Sequence, residues 1–245
     1  RDAAAHGVAA EADASAPTLA VRLATNPLAT LRVSGRCAAV TVKTNMETYV
    51  ADVSAELDGT PCDPAAVASF DTLEDGNLDV SAFGPGAAIT VAVPAAFNVQ
   101  VAMSDGACDV GMRGWLEGDV DLSTERGSVH VGTVKGMLTR VRTGGGDISV
   151  GSVDGNLDVQ TDAGGVTIGK ALGEEVRAVA AGGELRLKAV YAKRAEFRAD
   201  GGVRASVLSA ESGVLSLGGS SKLASLDGEF DVVLTAAACA LEVQA

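Results

Sequence analysis

GDVDLSTERGSVHVG (Gly118–Gly132), GMLTRVRTGGGDISVG (Gly136–Gly151), GNLDVQTDAGGVTIG (Gly155–Gly169), EEVRAVAAGGELRLK (Glu174–Lys188) and RAEFRADGGVRASV (Arg194–Val207) repeat one pattern with small changes. Each copy reads as a short alternating strand, a glycine-rich corner and a second short strand. After the first three copies a G-x-φ-x-G corner follows, at Gly132–Gly136, Gly151–Gly155 and Gly169–Gly173. The corner glycines Gly127, Gly146, Gly165, Gly183 and Gly202 stand 19, 19, 18 and 19 residues apart. A fixed period of this size marks a solenoid.

The period constrains the geometry. A coil of about 19 residues holds two or three strands of 4–5 residues plus corners, too little for a crossover helix. Successive coils must therefore stack by parallel strand pairing, at roughly 4.8 Å per coil. Alternation assigns the inward side chains. In the first strand they are Val120 and Leu122, Leu157 and Val159, Ala195 and Phe197; in the second, Val129 and Val131, Ile148 and Val150, Val166 and Ile168, Leu185 and Leu187. Like stacked on like, these form aliphatic columns. Right-handed winding is the default for parallel crossovers.

The outward positions give a sharper expectation. Asp121, Arg140, Asp158, Arg177 and Glu196 recur at 19, 18, 19 and 19 residues, each between two inward residues. They should form one exposed column whose signs alternate, pairing opposite charges at every step. Register control is the structural reading, worth a few tenths of a kcal/mol per exposed pair; a ligand-binding strip is the functional one. The second-strand column, His130, Ser149, Thr167, Arg186 and Arg204, shows no such alternation.

Composition agrees with a thin aliphatic coil: 47% of residues are hydrophobic but only 3% aromatic, and thirty glycines supply corners. A net charge of −13 argues against nucleic acid or anionic lipid as principal partner. No run of about 18 apolar residues offers a membrane span.

The chain opens with Arg1 rather than methionine, and the Ala-rich arm 1–17 is expected to be a remnant of a cleaved presequence or a flexible arm. Residues 18–245 read as a single β-solenoid domain, most regular over 97–228 and comprising nine or ten coils. Within it, 18–42 are expected to form a first, irregular coil and cap. Residues 43–76 are an insertion, either a lateral decoration or an end cap. There Asp63 is placed as N-cap and Pro64 at the first position of a short helix ending near Phe70. Cys37, Cys62, Cys108 and Cys239 are isolated, with no C-x-x-C. They read as free thiols in a reducing compartment, with a Cys37–Cys62 bridge as the alternative.

The run Ile89–Pro94, Val99-Gln-Val and the repeated G-x-φ-x-φ-x-T-x-x-G-x-φ-x-φ-G resemble the putative adhesin β-solenoid domain of bacterial cell-envelope proteins. Leu187-Lys-Ala-Val-Tyr-Ala-Lys-Arg-Ala-Glu-Phe197 and the following Gly-Gly are similar to the eukaryotic proteins called family with sequence similarity 185, member A. The resemblance covers roughly 89–235. It implies a parallel β-solenoid, no assigned enzyme activity and, for the eukaryotic relatives, a mitochondrial address.

No catalytic motif stands out. Asp105, Asp109, Asp162 and Asp200 lie at corners, where aspartate forms turns, and Asp119 and Asp121 make an outward Asp-x-Asp pair. The nine-residue calcium-roll period is missing, and His6 and His130 are too few for zinc. Trp115, Tyr49 and Tyr191 are too scattered for base stacking. The expectation is a non-enzyme without catalytic, cofactor-binding or metal-binding residues: a scaffold module that attaches to or braces a larger protein assembly, at a mitochondrial address. Its alternative is a cell-envelope or extracellular, polysaccharide-binding adhesin-like protein, favoured by a groove lined by Trp115, Tyr191 and outward acids.

Overall fold

The structure, a computed structural model, describes residues 20–45, 49–104, 106–235 and 240–243. The arm 1–17, Asp105 and Cys239 lie outside the described residues. In chain order the first strands are β1 (Ala20–Ala24), β2 (Thr30–Gly35), β3 (Ala39–Asn45), β4 (Val50–Leu57), β5 (Thr60–Cys62), β6 (Ala68–Thr72), β7 (Leu78–Ala82), β8 (Ala87–Pro94), β9 (Asn98–Met103) and β10 (Asp109–Glu117). They continue as β11 (Val120–Thr124), β12 (Val129–Thr143), β13 (Ile148–Thr161), β14 (Val166–Ala180), β15 (Leu185–Ala199), β16 (Val203–Leu217), β17 (Ser221–Leu223), β18 (Leu226–Leu234) and β19 (Leu241–Val243).

Coils of parallel strands stack in the register that the period dictates, forming the expected all-β parallel solenoid. Three inward columns trace three faces. Val141, Val159, Ala178 and Phe197 align on the first face; Val131, Val150, Ile168 and Leu187 on the second; Val134, Val153, Ala171 and Val190 on the third. All are buried. The third face is the stretch that the sequence presents as a G-x-φ-x-G corner. Its segment is so short that one side chain per coil points inward, which leaves no alternation to read. Among the described residues there are seven complete coils, 98–117, 120–135, 139–154, 157–172, 176–191, 195–210 and 213–228. Incomplete levels with two faces flank them, β7–β8 and β2–β3 at one end and 230–234 with β19 at the other, so the solenoid has about seven turns rather than the expected nine or ten.

Two devices hold the corner between the first and second faces. The glycine column runs through Gly127, Gly146, Gly164, Gly183 and Gly201, shifting two members by one residue from the sequence reading. A Cβ at Gly146 would lie 2.1 Å from the Gly127 oxygen, and one at Gly164 2.1 Å from the Gly146 oxygen. Nothing larger than hydrogen fits between coils there. Beside it runs a ladder of buried threonines. The Thr143 hydroxyl donates to the Gly127 oxygen at 3.0 Å and accepts from the Gly146 N–H at 3.0 Å. Thr161 repeats this with the Gly146 oxygen at 2.9 Å and the Gly164 N–H at 3.0 Å. Backbone groups that the corner turns away from the strand ladders are thereby satisfied.

The N-terminal third departs from the sequence expectation. Residues 30–45 are the first coil in the chain but the second in space. β2 lies between β7 and β9, and β3 between β8 and β10, all parallel. The segment is a wedge, inserted between two levels that the chain builds only afterwards. The cap is made by the 43–76 insertion instead. β4 pairs antiparallel with both β8 and β1, and β6 pairs antiparallel with β7. The insertion is thus an end cap.

Asp63 does cap a helical turn, its carboxylate accepting from the Ala65 N–H at 3.0 Å, and Pro64 opens that turn. It is a single 3-10 turn, Pro64–Ala66, and does not reach Phe70. Residues 68–72 are taken by pairing with β7, where Val67 and Ala68 are buried. At the other end, β18 pairs with β16, and Val232 and Leu234 are 40% and 52% exposed.

Candidate binding faces

The first face carries the charge column. Asp121, Arg140, Asp158, Arg177 and Glu196 are nearest neighbours in successive coils, as their spacing demands. Every step is an ion pair: Arg140 lies 3.6 Å from Asp121 and 3.6 Å from Asp158, and Arg177 lies 3.4 Å from Asp158 and 3.3 Å from Glu196. The column extends N-terminally through Gln100 and Arg32 to Asp79, with Arg32 3.4 Å from Asp79. That extension was not read from the sequence, because the wedge changes the order of the rungs.

Beside it, two residues further along each strand, stand Ser81, Ser34, Ala102, Ser123 and then Arg142. Four small side chains next to a row of long ones leave a shallow trough of about 450 Å³, bordered by Arg32, Asp79, Gln100 and Asp121. Arg142, on the next rung, is held by Asp158 at 3.3 Å. A smaller depression of about 250 Å³ adjoins it around Gln100, Asp119 and Arg140. The trough floor is small and mixed, serine hydroxyls beside alanine and valine carbon, its rim runs Asp79, Arg32, Gln100 and Asp121, and rungs repeat at about 4.8 Å.

The second face shows His130, Ser149, Thr167, Arg186 and Arg204 in line, as expected. Both arginines converge on Glu184, Arg186 at 2.8 Å. Trp115 and Tyr191 are 51% and 42% exposed on the third face. They do not share a groove. Trp115 aligns with Thr133 in the next coil, Tyr191 belongs to the neighbouring column with Leu172, and they occupy the first and fifth complete coils. At the edge of the third face Lys193 pairs with Glu174, and this hydrogen bond raises the lysine and lowers the glutamate from their ordinary pKa values.

Of the corner acids, Asp109 has a structural role, and Asp119 and Asp147 act in the same way. Asp119 accepts from the N–H groups of Met137 and Leu138 at 2.8 and 3.0 Å, Asp109 from Ser128 at 2.8 Å, and Asp147 from Gly165 at 2.7 Å. Each carboxylate binds the next coil's backbone and so fixes register. Among the described residues no group of three or more His, Cys, Asp or Glu is placed to hold a metal. Nor does the cysteine arrangement follow the bridge that the sequence offered as an alternative. Cys37 faces Cys108, with their sulfurs 3.3 Å apart, while Cys62 lies on β5 opposite Ala55.

No family model and no curated protein matches the sequence. Solved structures do match in fold. A putative adhesin from Parabacteroides distasonis ATCC 8503 superposes with a TM-score of 0.60 at 11% identity, over 91% of this chain and 95% of that one. A putative adhesin from Bacteroides fragilis NCTC 9343 aligns over the same shares at 11% identity with a TM-score of 0.39, too low to bear on the argument. At such identity the first likeness speaks for the fold alone: both chains are β-solenoids over nearly their whole length.

Proposed function

We propose that the protein is a non-enzymatic, adhesin-like binding module of the cell envelope or extracellular space, and that the trough of the first face holds an extended glycan chain. The trough carries the reading. Its charges are already paired, Arg32 with Asp79 and Asp121 with Arg140 beside the trough, so it favours a polymer of hydroxyl groups over an ion. Asp and Gln side chains on the rim accept from and donate to hydroxyls, and the small floor admits a chain lying along the solenoid axis. The advance per rung is close to the advance per ring of an extended glycan. The neighbour's designation as a putative adhesin supports the same reading. The eukaryotic resemblance and its mitochondrial address find no comparable support.

Binding to a polysaccharide array, followed by calorimetry on the retained glycan, tests this. Ala102→Arg should fill the trough and lower affinity tenfold or more with an unchanged Tm, whereas Thr167→Arg on the second face should not alter it. Failure of the wild type to retain any glycan, or equal binding by Ala102→Arg, overturns the proposal. A second reading, a scaffold bracing a larger protein assembly, is favoured by the exposed Val232, Val233 and Leu234 at the C-terminal end. Under that reading Val232→Lys, not Ala102→Arg, abolishes association.

A further inference from the structure

We propose that Cys37 and Cys108 are a disulfide-forming pair that locks the inserted N-terminal wedge to the first complete coil. Cys37 lies at the corner between β2 and β3, and Cys108 at the corresponding corner between β9 and β10. They are 71 residues apart in the chain and in contact in space.

The backbone geometry suits a bond. β3 and β10 pair in parallel with Ala39 opposite Asp109, and the Asp109 N–H donates to the Ala38 oxygen at 3.1 Å. Extending that register back by one residue puts Cys37 diagonal to Cys108. Neighbouring strands about 4.8 Å apart and a rise of about 3.3 Å per residue place such Cα atoms roughly 5.8 Å apart. Disulfides span Cα separations of about 4.4–6.8 Å. The sulfurs, 3.3 Å apart, must close to about 2.05 Å, a movement that side-chain rotation supplies.

Both corners are held in place. The Arg36 N–H donates to the Ala82 oxygen at 2.9 Å, and the Ser104 N–H to the Gly35 oxygen at 3.2 Å. On the other side the Thr124 hydroxyl donates to the Cys108 oxygen at 3.0 Å. The pair is also chemically unequal. The hydrogen bond between the thiols lowers the Cys37 pKa and, with burial, raises that of Cys108. Cys37 is thus the thiol that ionises first, and the thiolate is the attacking species.

The oxidant is a disulfide, either glutathione disulfide or an oxidised dithiol protein. The Cys37 thiolate attacks one of its sulfurs and expels the first thiol. Cys108 then loses its proton, attacks the Cys37 sulfur of the mixed disulfide and expels the second. Two protein thiols are oxidised by two electrons, and one disulfide is reduced to two thiols. Both residues are buried, so the exchange runs most readily as the wedge docks during folding.

The bond joins two levels that only non-covalent pairing otherwise connects, and it closes a long loop, the case in which a cross-link restricts the unfolded chain most. The test uses the full chain, reduced, unfolded and refolded in a glutathione redox buffer, then alkylated and digested without reductant. A Cys37–Cys108 peptide pair is expected, with Cys62 alkylated. The Tm should rise by about 5–10 °C and fall back on reduction. Cys37→Ser should fold but show neither the pair nor the rise. Both thiols alkylated after oxidative refolding, a dominant link between any other cysteines, or a Cys37–Cys108 link without a change in Tm each overturns the proposal.

Discussion

Residues 119–228 and residues 20–117 build the same stacked, parallel-strand architecture by different routes. In the former, each coil lies on the one just before it, as Arg177 on Asp158 shows at a separation of 19 residues. In the latter, Arg32 meets Asp79 47 residues away, and Asn98 reaches the Leu28 oxygen across 70. A repeat whose partners are always the adjacent coils can grow from any starting point. The wedge cannot be enclosed until residues near 100 are in place, so its ordering entropy is offset last. One architecture can thus hold a propagating half and a half that must close around its own N-terminal segment.

An identical charge placed in each half separates them. Val150 and Val40 are both fully enclosed, between Val131 and Ile168 and between Ile89 and Val110. An aspartate at either site would be unpaired, at about 4 kcal/mol or more. The consequences should differ in extent. Val40→Asp is expected to release the wedge, so that amides of 20–117 exchange with solvent while 139–210 stay protected. Val150→Asp should expose the central coils and lower the Tm of the whole molecule. Uniform exchange in both variants would mean the two halves open as one unit.

The second half was legible because its information is local. Asp121, Arg140 and Asp158 declare their register through spacing alone, and Val129, Ile148 and Val166 declare their column in the same way. The first half was not, since Leu31 and Val33 alternate as any half-buried strand does and carry no sign of partners 47 and 68 residues on. The trough was hidden for that reason: Ser81, Ser34, Ala102 and Ser123 are neighbours only after the wedge is in place. Ambiguity of a single residue misplaced two glycines of the corner column. Where Gly-Gly occurs, as at Gly164-Gly165, packing against the previous coil decides which member lies in it. The contact between Cys37 and Cys108 could not be read because it follows from the same non-local pairing.

Glycine substitutions extend the contrast to corners. Gly146→Ala would force a Cβ against the Gly127 oxygen, and the coils would have to part, at about 3 kcal/mol. Gly59, in the hairpin between β4 and β5, has φ +76° and open space around a Cβ, so its alanine variant should lose about 1 kcal/mol from backbone strain alone. Equal losses in denaturant melts would remove the stacked-corner explanation. Thr139 offers a gain. It stands between Val120 and Leu157 in an aliphatic column, buried, with its hydroxyl unpartnered. Thr139→Val should raise stability by about 1 kcal/mol, and a loss instead would show that the hydroxyl has a role in the column.

The smallest effect distinguishes the two stretches of the charge column. Arg140 has a carboxylate on each side, Asp121 and Asp158, whereas Arg32 has Asp79 on one side and the neutral Gln100 on the other. Reversing the charge therefore creates two repulsive steps at 140 and one at 32. Arg140→Glu should lose about 1 kcal/mol and Arg32→Glu about half that, since exposed pairs are individually weak. Both losses should shrink at about 1 M salt, where the screening length falls to roughly 3 Å, below the pair distances. The side chains are 35% and 45% exposed at 140 and 32, which points the same way, toward stronger coupling at Arg140. Denaturant midpoints at low and high salt measure the ratio. A ratio of one, or losses indifferent to salt, would mean that the alternating signs accompany the register without enforcing it, leaving that task to the buried threonines and corner carboxylates.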